Sequence, residues 1–274
     1  MGNMNKKIIP FLKWAGGKRW FVQQYPHLLP ENYNRYFEPF LGSGVVYFTL
    51  CPNDAVLNDR NKELIDAYKG IKFCWKKVYD LLIQHDKLHS KEYYYDIRST
   101  SFTSLKEKAA RMIYLNRTCF NGIYRVNKQG QFNVPVGSKT SVLLETDDFG
   151  ELAKLLKKAK ILNQDFEKII DQAQYNDFVF VDPPYTVRHN QNGFVKYNEV
   201  LFSWDDQVRL SKSLIRAKNR GVKILMTNAS HQSIRELYES EGFDLQVVSR
   251  FSSISASALH RDKYEELVIK VNMD

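Results

Sequence analysis

The sequence predicts an α/β protein with a doubly wound, mostly parallel sheet. Two observations predict it. Short apolar runs alternate with helical patterns at both ends of the 274-residue chain. Strands separated by helices need crossover connections, which make neighbouring strands parallel. The first of these runs also enters a tight glycine turn, Gly42-Ser43-Gly44, the usual join between a strand and a helix in such sheets. A third observation qualifies the picture. The stretch 75–146 breaks the alternation and is rich in Lys, Arg, Tyr and Asn, as an inserted module would be.

In chain order, Arg35–Phe40 is the first strand and Ala55–Leu57 the second, followed by a helix from Lys62 to about Ile71. Leu105–Asn116 is a helix within the insert. Tyr124–Phe132 has the pattern of a hairpin, with turn residues in Asn127-Lys128-Gln129-Gly130. The core resumes with strands at Ile161-Leu162, Phe178–Val181 and Val222–Met226, helices at Asp205–Arg220 and Gln232–Ser240, and late strands at Leu245–Phe251 and Glu266–Val271. The expected organisation is a core of residues 8–74 and 147–274 with a mainly helical insert at 75–146.

Composition narrows the partners. A net charge of +9 and a pI near 9.2 point to nucleic acid, although many enzymes are merely basic. No run of about 18 apolar residues suggests a membrane span. The N-terminus lacks an apolar signal region, so the expectation is a cytoplasmic protein. The cysteines Cys51, Cys74 and Cys119 are too few and too scattered for a disulfide framework or a zinc site. No metal is expected.

Three motifs carry chemistry. Glu38-Pro39-Phe40-Leu41-Gly42-Ser43-Gly44 places a glycine turn at the carboxyl end of the first strand, where backbone can approach a nucleotide-like ligand. Asp59, just past the second strand, suits two ribose hydroxyls; it could equally be the N-cap of the next helix. Val179-Phe180-Val181-Asp182-Pro183-Pro184-Tyr185 ends a buried strand in an acid, two stiffening prolines and an aromatic. The Asp182 carboxylate and the Pro183 carbonyl are acceptors beside the flat Tyr185 ring. They match a planar base bearing an exocyclic amine, and a plain rigid turn is the alternative. Phe11-Leu12-Lys13-Trp14-Ala15-Gly16-Gly17-Lys18 resembles a lip over an anionic or zwitterionic ligand, and its spacing is not that of a phosphate loop.

These motifs occur in one order along the chain. Lys13–Lys18, Glu38-Pro39-Phe40 with its turn, Asn121-Gly122 through Phe132-Asn133-Val134-Pro135, and Asp182–Tyr185 together resemble the Dam-type (α-group) DNA adenine-N6 methyltransferases over nearly the whole chain. The resemblance implies a seven-stranded, Rossmann-like methyltransferase sheet, with 75–146 as the target-recognition domain. It implies S-adenosylmethionine as methyl donor, contacted by Trp14, Lys18, Phe40, Gly42 and Asp182. Asp59 would hold the ribose, and Asp165 and Phe166 would lie along the adenine. Asp182, Pro183 and Tyr185 would hold the target adenine. Phe120 and Asn121 would push into the duplex. Arg125, Asn127 and Pro135 would read bases, with Lys13 on a guanine or a phosphate. GATC is the best single target. The segments Arg188–Tyr197 and Ser252–Ser257 depart from the family pattern and leave the target sequence open.

The implied partners are double-stranded DNA and S-adenosylmethionine, with a restriction endonuclease of the same site as a further candidate and a monomer as the default state. Cytosine-C5 methylation needs a cysteine nucleophile, and the one Cys-Pro pair, Cys51-Pro52, lies outside any active loop. Cytosine-N4 methylation and a non-catalytic DNA-binding protein with this fold are the rivals.

Overall fold

The computed structural model describes residues 8–127, 131–187, 202–251 and 263–273. The turn residues Lys128–Gly130 and the atypical segments at 188–197 and 252–257 lie outside the described residues. The fold is α/β with a seven-stranded, mostly parallel sheet. The strands are β1 (Tyr36–Glu38), β2 (Ala55–Asn58), β3 (Ala159–Leu162), β4 (Phe178–Val181), β5 (Lys223–Ala229), β6 (Asp244–Phe251) and β7 (Lys263–Val271). The α-helices among the described residues are α1 (Arg19–Gln24), α2 (Val45–Leu50), α3 (Lys62–Leu88), α4 (Lys91–Ser99), α5 (Leu105–Thr118), α6 (Phe149–Leu156), α7 (Phe166–Ile170), α8 (Trp204–Asn219) and α9 (Gln232–Arg235).

The chain divides into two compact units. One comprises 1–23 and 41–163 and the other 24–40 and 164–274. In the first, β2 and β3 pair in parallel, Ala55 opposite Ala159. α3 is longer than its sequence pattern suggests. It runs on past Ile71 through a non-helical residue, Cys74 (φ −145°, ψ 36°), and packs along α5. The two helices approach so closely that a Cβ on Gly70 would collide with the Ala109 Cβ. His85 near the end of α3 stacks on Tyr114 of α5 and bonds the Tyr93 hydroxyl of α4 at 2.7 Å. Burial lowers its pKa to about 4. Ser90 and Ser104 cap α4 and α5 by accepting from the amides of Tyr93 and Glu107.

In the second unit the strand order is β1-β4-β5-β7-β6, with β1, β4 and β5 parallel and β7 antiparallel to both of its neighbours. β4 is fully buried and its bounds match the expected ones. β5 continues to Ala229, beyond the apolar run, because Thr227, Asn228 and Ala229 pair with Val268, Leu267 and Glu266. The expected helix at Gln232–Ser240 is shorter: α9 ends at Arg235 and a 3-10 turn follows at Glu239–Glu241. Among the described residues, no helix is long and apolar enough to cross a membrane, and no group of three or more His, Cys, Asp or Glu side chains could hold a metal ion.

Candidate active site and DNA-facing surface

In the first unit, the turn after β1 brings Gly42, Asp59 and Trp14 together. Gly42 has φ +48°, and a Cβ there would sit 2.8 Å from Trp14 Cδ1. Its amide donates to one Asp59 oxygen at 3.1 Å, and the Asn61 amide donates to the other at 2.9 Å. Burial pushes the Asp59 carboxyl up, against the pull of these amides. The N-cap alternative for Asp59 does not hold, since the cap of α3 is Asn61, whose side chain accepts from the Leu64 amide. Asp59 is therefore placed by the turn, and its carboxylate still has lone pairs for further donors. Lys18 is 3% exposed and donates to the Gly16 carbonyl at 2.9 Å.

Trp14 stacks on Tyr124, with ring centroids 5.3 Å apart and planes 20° from parallel. The Tyr124 hydroxyl donates to Glu63 at 2.9 Å, and Arg111 pairs with the other Glu63 oxygen at 3.2 Å. Tyr124 immediately precedes Arg125, so a residue of the N-terminal lip and the start of the expected hairpin share one stack.

The expected DNA-facing residues gather in the same unit. Asn116 is fully buried and grips Lys13 by its backbone: it accepts from the Lys13 amide at 2.9 Å and donates to the Lys13 carbonyl at 2.8 Å. The contact of Lys13 with Lys139, then burial, lower its pKa to about 8. Phe120, 57% exposed, donates its amide to the Pro135 carbonyl at 2.9 Å. Asn121 is exposed with φ +58°. Arg125 and Asn127 each reach across the hairpin, to Asn133 at 3.3 Å and Gln131 at 3.2 Å, around an isolated bridge between Val126 and Phe132. Both side chains thus lie on one face.

In the second unit, Asp182 follows β4 directly. β1 and β4 are parallel neighbours, so their carboxyl ends lie side by side. Thr227 of β5 donates its hydroxyl to Asp182 Oδ1 at 2.8 Å. Asn228 donates to Gln207 of α8 at 3.2 Å, and Gln207 donates to the Pro184 carbonyl at 3.4 Å. The Tyr185 hydroxyl donates to Glu266 of β7 at 2.7 Å. Burial first, then the Asp182 and Glu266 charges, hold the Tyr185 phenol well above its ordinary pKa. The loop thus offers a carboxylate and an aromatic ring from a framework fixed at several points.

Phe40 stacks on Phe166 (5.4 Å, 28°), and Phe202 packs edge-on to Phe40. Asp165 caps α7 and pairs with Arg209 at 2.8 Å, while the Arg209 guanidinium lies 4.8 Å from the Phe166 ring centroid. Asp165 and Phe166 are brought together by the start of α7 and held there by Arg209.

Thr227, Gln207, Glu266, Arg209 and Asn116 were not singled out from the sequence. Thr227 and Asn228 interrupt the apolar run of β5, and that interruption is the signal the sequence offers; Glu266, in the polar first half of β7, carries none.

The sheet, with its antiparallel β5-β7-β6 end and an acid-Pro-Pro-Tyr loop after β4, defines an α/β fold of the methyltransferase kind. A profile of the D12 class N6 adenine-specific DNA methyltransferases matches residues 14–254. The type II methyltransferase M1.LlaDCHI of Lactococcus lactis subsp. cremoris is 38% identical over 269 residues, covering 95% of this chain and 94% of that protein. The type II methyltransferase M.MjaIII of Methanocaldococcus jannaschii is 33% identical, with 96% and 99% covered. A DNA adenine methylase of Vibrio cholerae is 31% identical, with 96% of each covered. The chain belongs to the D12 class N6 adenine-specific DNA methyltransferase family.

Proposed function

We propose that the protein transfers a methyl group from S-adenosylmethionine to N6 of an adenine swung out of duplex DNA. The observation that carries this reading is the loop after β4. Asp182 is anchored by Thr227 beside a Tyr185 whose hydroxyl is tied back to Glu266, so the ring serves for stacking.

The N6 lone pair of adenine is delocalised into the ring and is a poor nucleophile. Asp182 and the Pro183 carbonyl accept the two N6 hydrogens and draw the nitrogen towards tetrahedral geometry. Its lone pair would then bond the methyl carbon as the carbon–sulfur bond breaks to a neutral thioether, the surplus N6 proton would pass to water, and positioning and electrostatics supply the rate. S-adenosylmethionine, when bound, supplies an electrophilic sulfonium methyl. Extrusion of the base costs a few kcal/mol, partly offset by stacking on Tyr185.

The residues present suit that cofactor. Gly42 leaves room where a Cβ would meet Trp14, and Asp59 is an anchored acceptor for ribose hydroxyls. Trp14 and Lys18 belong to the same lip. Phe40, backed by the buried Phe166, offers an aromatic ring, and Asp165 an acceptor, to the cofactor's adenine.

Residues 75–146 form the recognition domain in this reading. Phe120 and Asn121 fill the duplex beside the extruded base. Arg125, Asn127 and Pro135 read the site, with Lys13 on a guanine or a phosphate. GATC is the target this arrangement favours, methylated by a monomer one strand at a time, and a restriction endonuclease of the same site is the natural partner. The test is to express the chain in cells that lack adenine methylation and to sequence their DNA for N6-methyladenine. Modified adenines in a single sequence context are expected. Methylcytosine alone, or no modified base, would overturn the reading.

A further inference from the structure

Two strands of the second unit carry polar side chains to one place under the Asp182–Tyr185 loop. In an antiparallel pair, residues opposite one another project to the same face, and alternate residues on one strand share that face. Ala229 stands opposite Glu266. Thr227, two residues before Ala229, therefore shares a face with Glu266. Thr227 is fully buried and donates to Asp182 at 2.8 Å, while Glu266 is 6% exposed and accepts from Tyr185 at 2.7 Å. A carboxylate withdrawn this far from water is costly unless it is hydrogen-bonded. The bond with Tyr185 also has a geometric consequence. It takes hold of the far end of the phenol and so fixes the direction of the ring's long axis, and the preference of the O–H for the ring plane favours one rotation about that axis.

We propose that Glu266 is a positioning residue for methyl transfer, holding the Tyr185 ring by its hydroxyl in the plane on which the target base stacks. The inference rests on the adenine-N6 reading of the loop. Glu266 does not touch the base, and it exchanges no proton with it. The Tyr185 hydroxyl is turned to Glu266 and serves as a tether. The ring does the stacking, and its tilt is set from β7.

The experiment uses the full chain, with four variants: Glu266→Leu, Glu266→Gln, Tyr185→Phe and the double variant Glu266→Leu/Tyr185→Phe. Methyl transfer from labelled S-adenosylmethionine to unmethylated plasmid DNA is followed in a single turnover. The Tyr185 ring is followed separately by carbon NMR of labelled tyrosine, its signal assigned by loss in Tyr185→Phe. Loss of a hydrogen bond to a charged group corresponds to about ten- to a hundred-fold in rate. Glu266→Leu is expected to lose that much in kcat, with little change in KM for S-adenosylmethionine, and to shift the Tyr185 signal. Glu266→Gln keeps a carbonyl acceptor and should recover most of the rate. Tyr185→Phe should show a loss of similar size, and the double variant should be no slower than Tyr185→Phe, because both changes remove one interaction.

A rate for Glu266→Leu within two-fold of wild type (about 0.4 kcal/mol), a multiplicative loss in the double variant, or an unmoved Tyr185 signal would overturn the proposal. If Glu266→Leu fails to fold, Tyr185→Phe decides, since full activity without the hydroxyl leaves nothing for Glu266 to position. A wild-type protein that transfers no methyl to adenine defeats the functional reading instead, and the NMR signal still decides the contact.

Discussion

Asp182 accepts from Thr227 through Oδ1, and the two oxygens of a carboxylate are separable acceptors, so in the proposed role the same side chain also meets the substrate. Asp182→Ala is expected to abolish methyl transfer while leaving the thermal melting midpoint within a few degrees of wild type. Retention of more than about a tenth of the turnover, a loss below about 1.4 kcal/mol, would remove it from catalysis. Asp59→Ala should weaken S-adenosylmethionine binding by about 1–3 kcal/mol, since the turn holds this carboxylate in place as an acceptor. Calorimetry on the two proteins measures the difference directly. Asp182, Tyr185, Gly42 and Asp59 could be picked out from the sequence as candidates because their chemistry is local, an acid, an aromatic or a glycine at the end of an apolar strand. Asn116, Gln207, Arg209, Thr227 and Glu266 could not. Each matters through a partner more than twenty residues away, as with Asn116 and Lys13, and only strand register or helix packing creates the pair.

At the scale of elements, β4 and the parallel strands were legible because buried strands are continuous apolar runs. The far end of β5 was not, because Thr227 and Asn228 break the apolar run while still pairing with β7. α3 was cut short where Lys72, Lys76 and Lys77 interrupt the apolar pattern around Cys74; the backbone leaves helical geometry at Cys74 and the helix then resumes. The packing of α3 makes two predictions. Alanine is a better helix former than glycine by about 1 kcal/mol, yet Gly70→Ala should destabilise the fold by about 1–3 kcal/mol, because Ala109 already occupies the space. Urea denaturation reads the sign, and a stabilised variant would refute the close approach. His85 has a folded pKa of about 4, below its unfolded value near 6.5. Between those values the unfolded chain binds the extra proton. Stability is therefore full above about pH 6.5 and is lost as pH falls towards 4, by about 1–2 kcal/mol at pH 5. His85→Gln should flatten this part of the pH–stability curve, and an unchanged slope would show that other groups govern it.

At the scale of the whole molecule, the net charge of +9 gives the protein an attraction to DNA that is blind to sequence, so discrimination must come from a few side chains. Arg125→Ala should cost about 1–3 kcal/mol on the preferred duplex and relax discrimination at one base pair. A uniform loss over a panel of singly altered duplexes, with a shallower salt dependence, would instead assign Arg125 to a phosphate. The stack of Trp14 on Tyr124 bears on how such measurements combine. One ring belongs to the lip proposed to meet the methyl donor, and the other lies next to the arginine proposed to read the duplex. Two ligands that bias a shared joint obey thermodynamic reciprocity. Whatever factor the donor applies to the dissociation constant for DNA, DNA must apply to that of the donor. Titrating each in the presence and absence of the other closes a four-sided cycle, and Tyr124→Ala, by breaking the joint, should bring both factors towards one together.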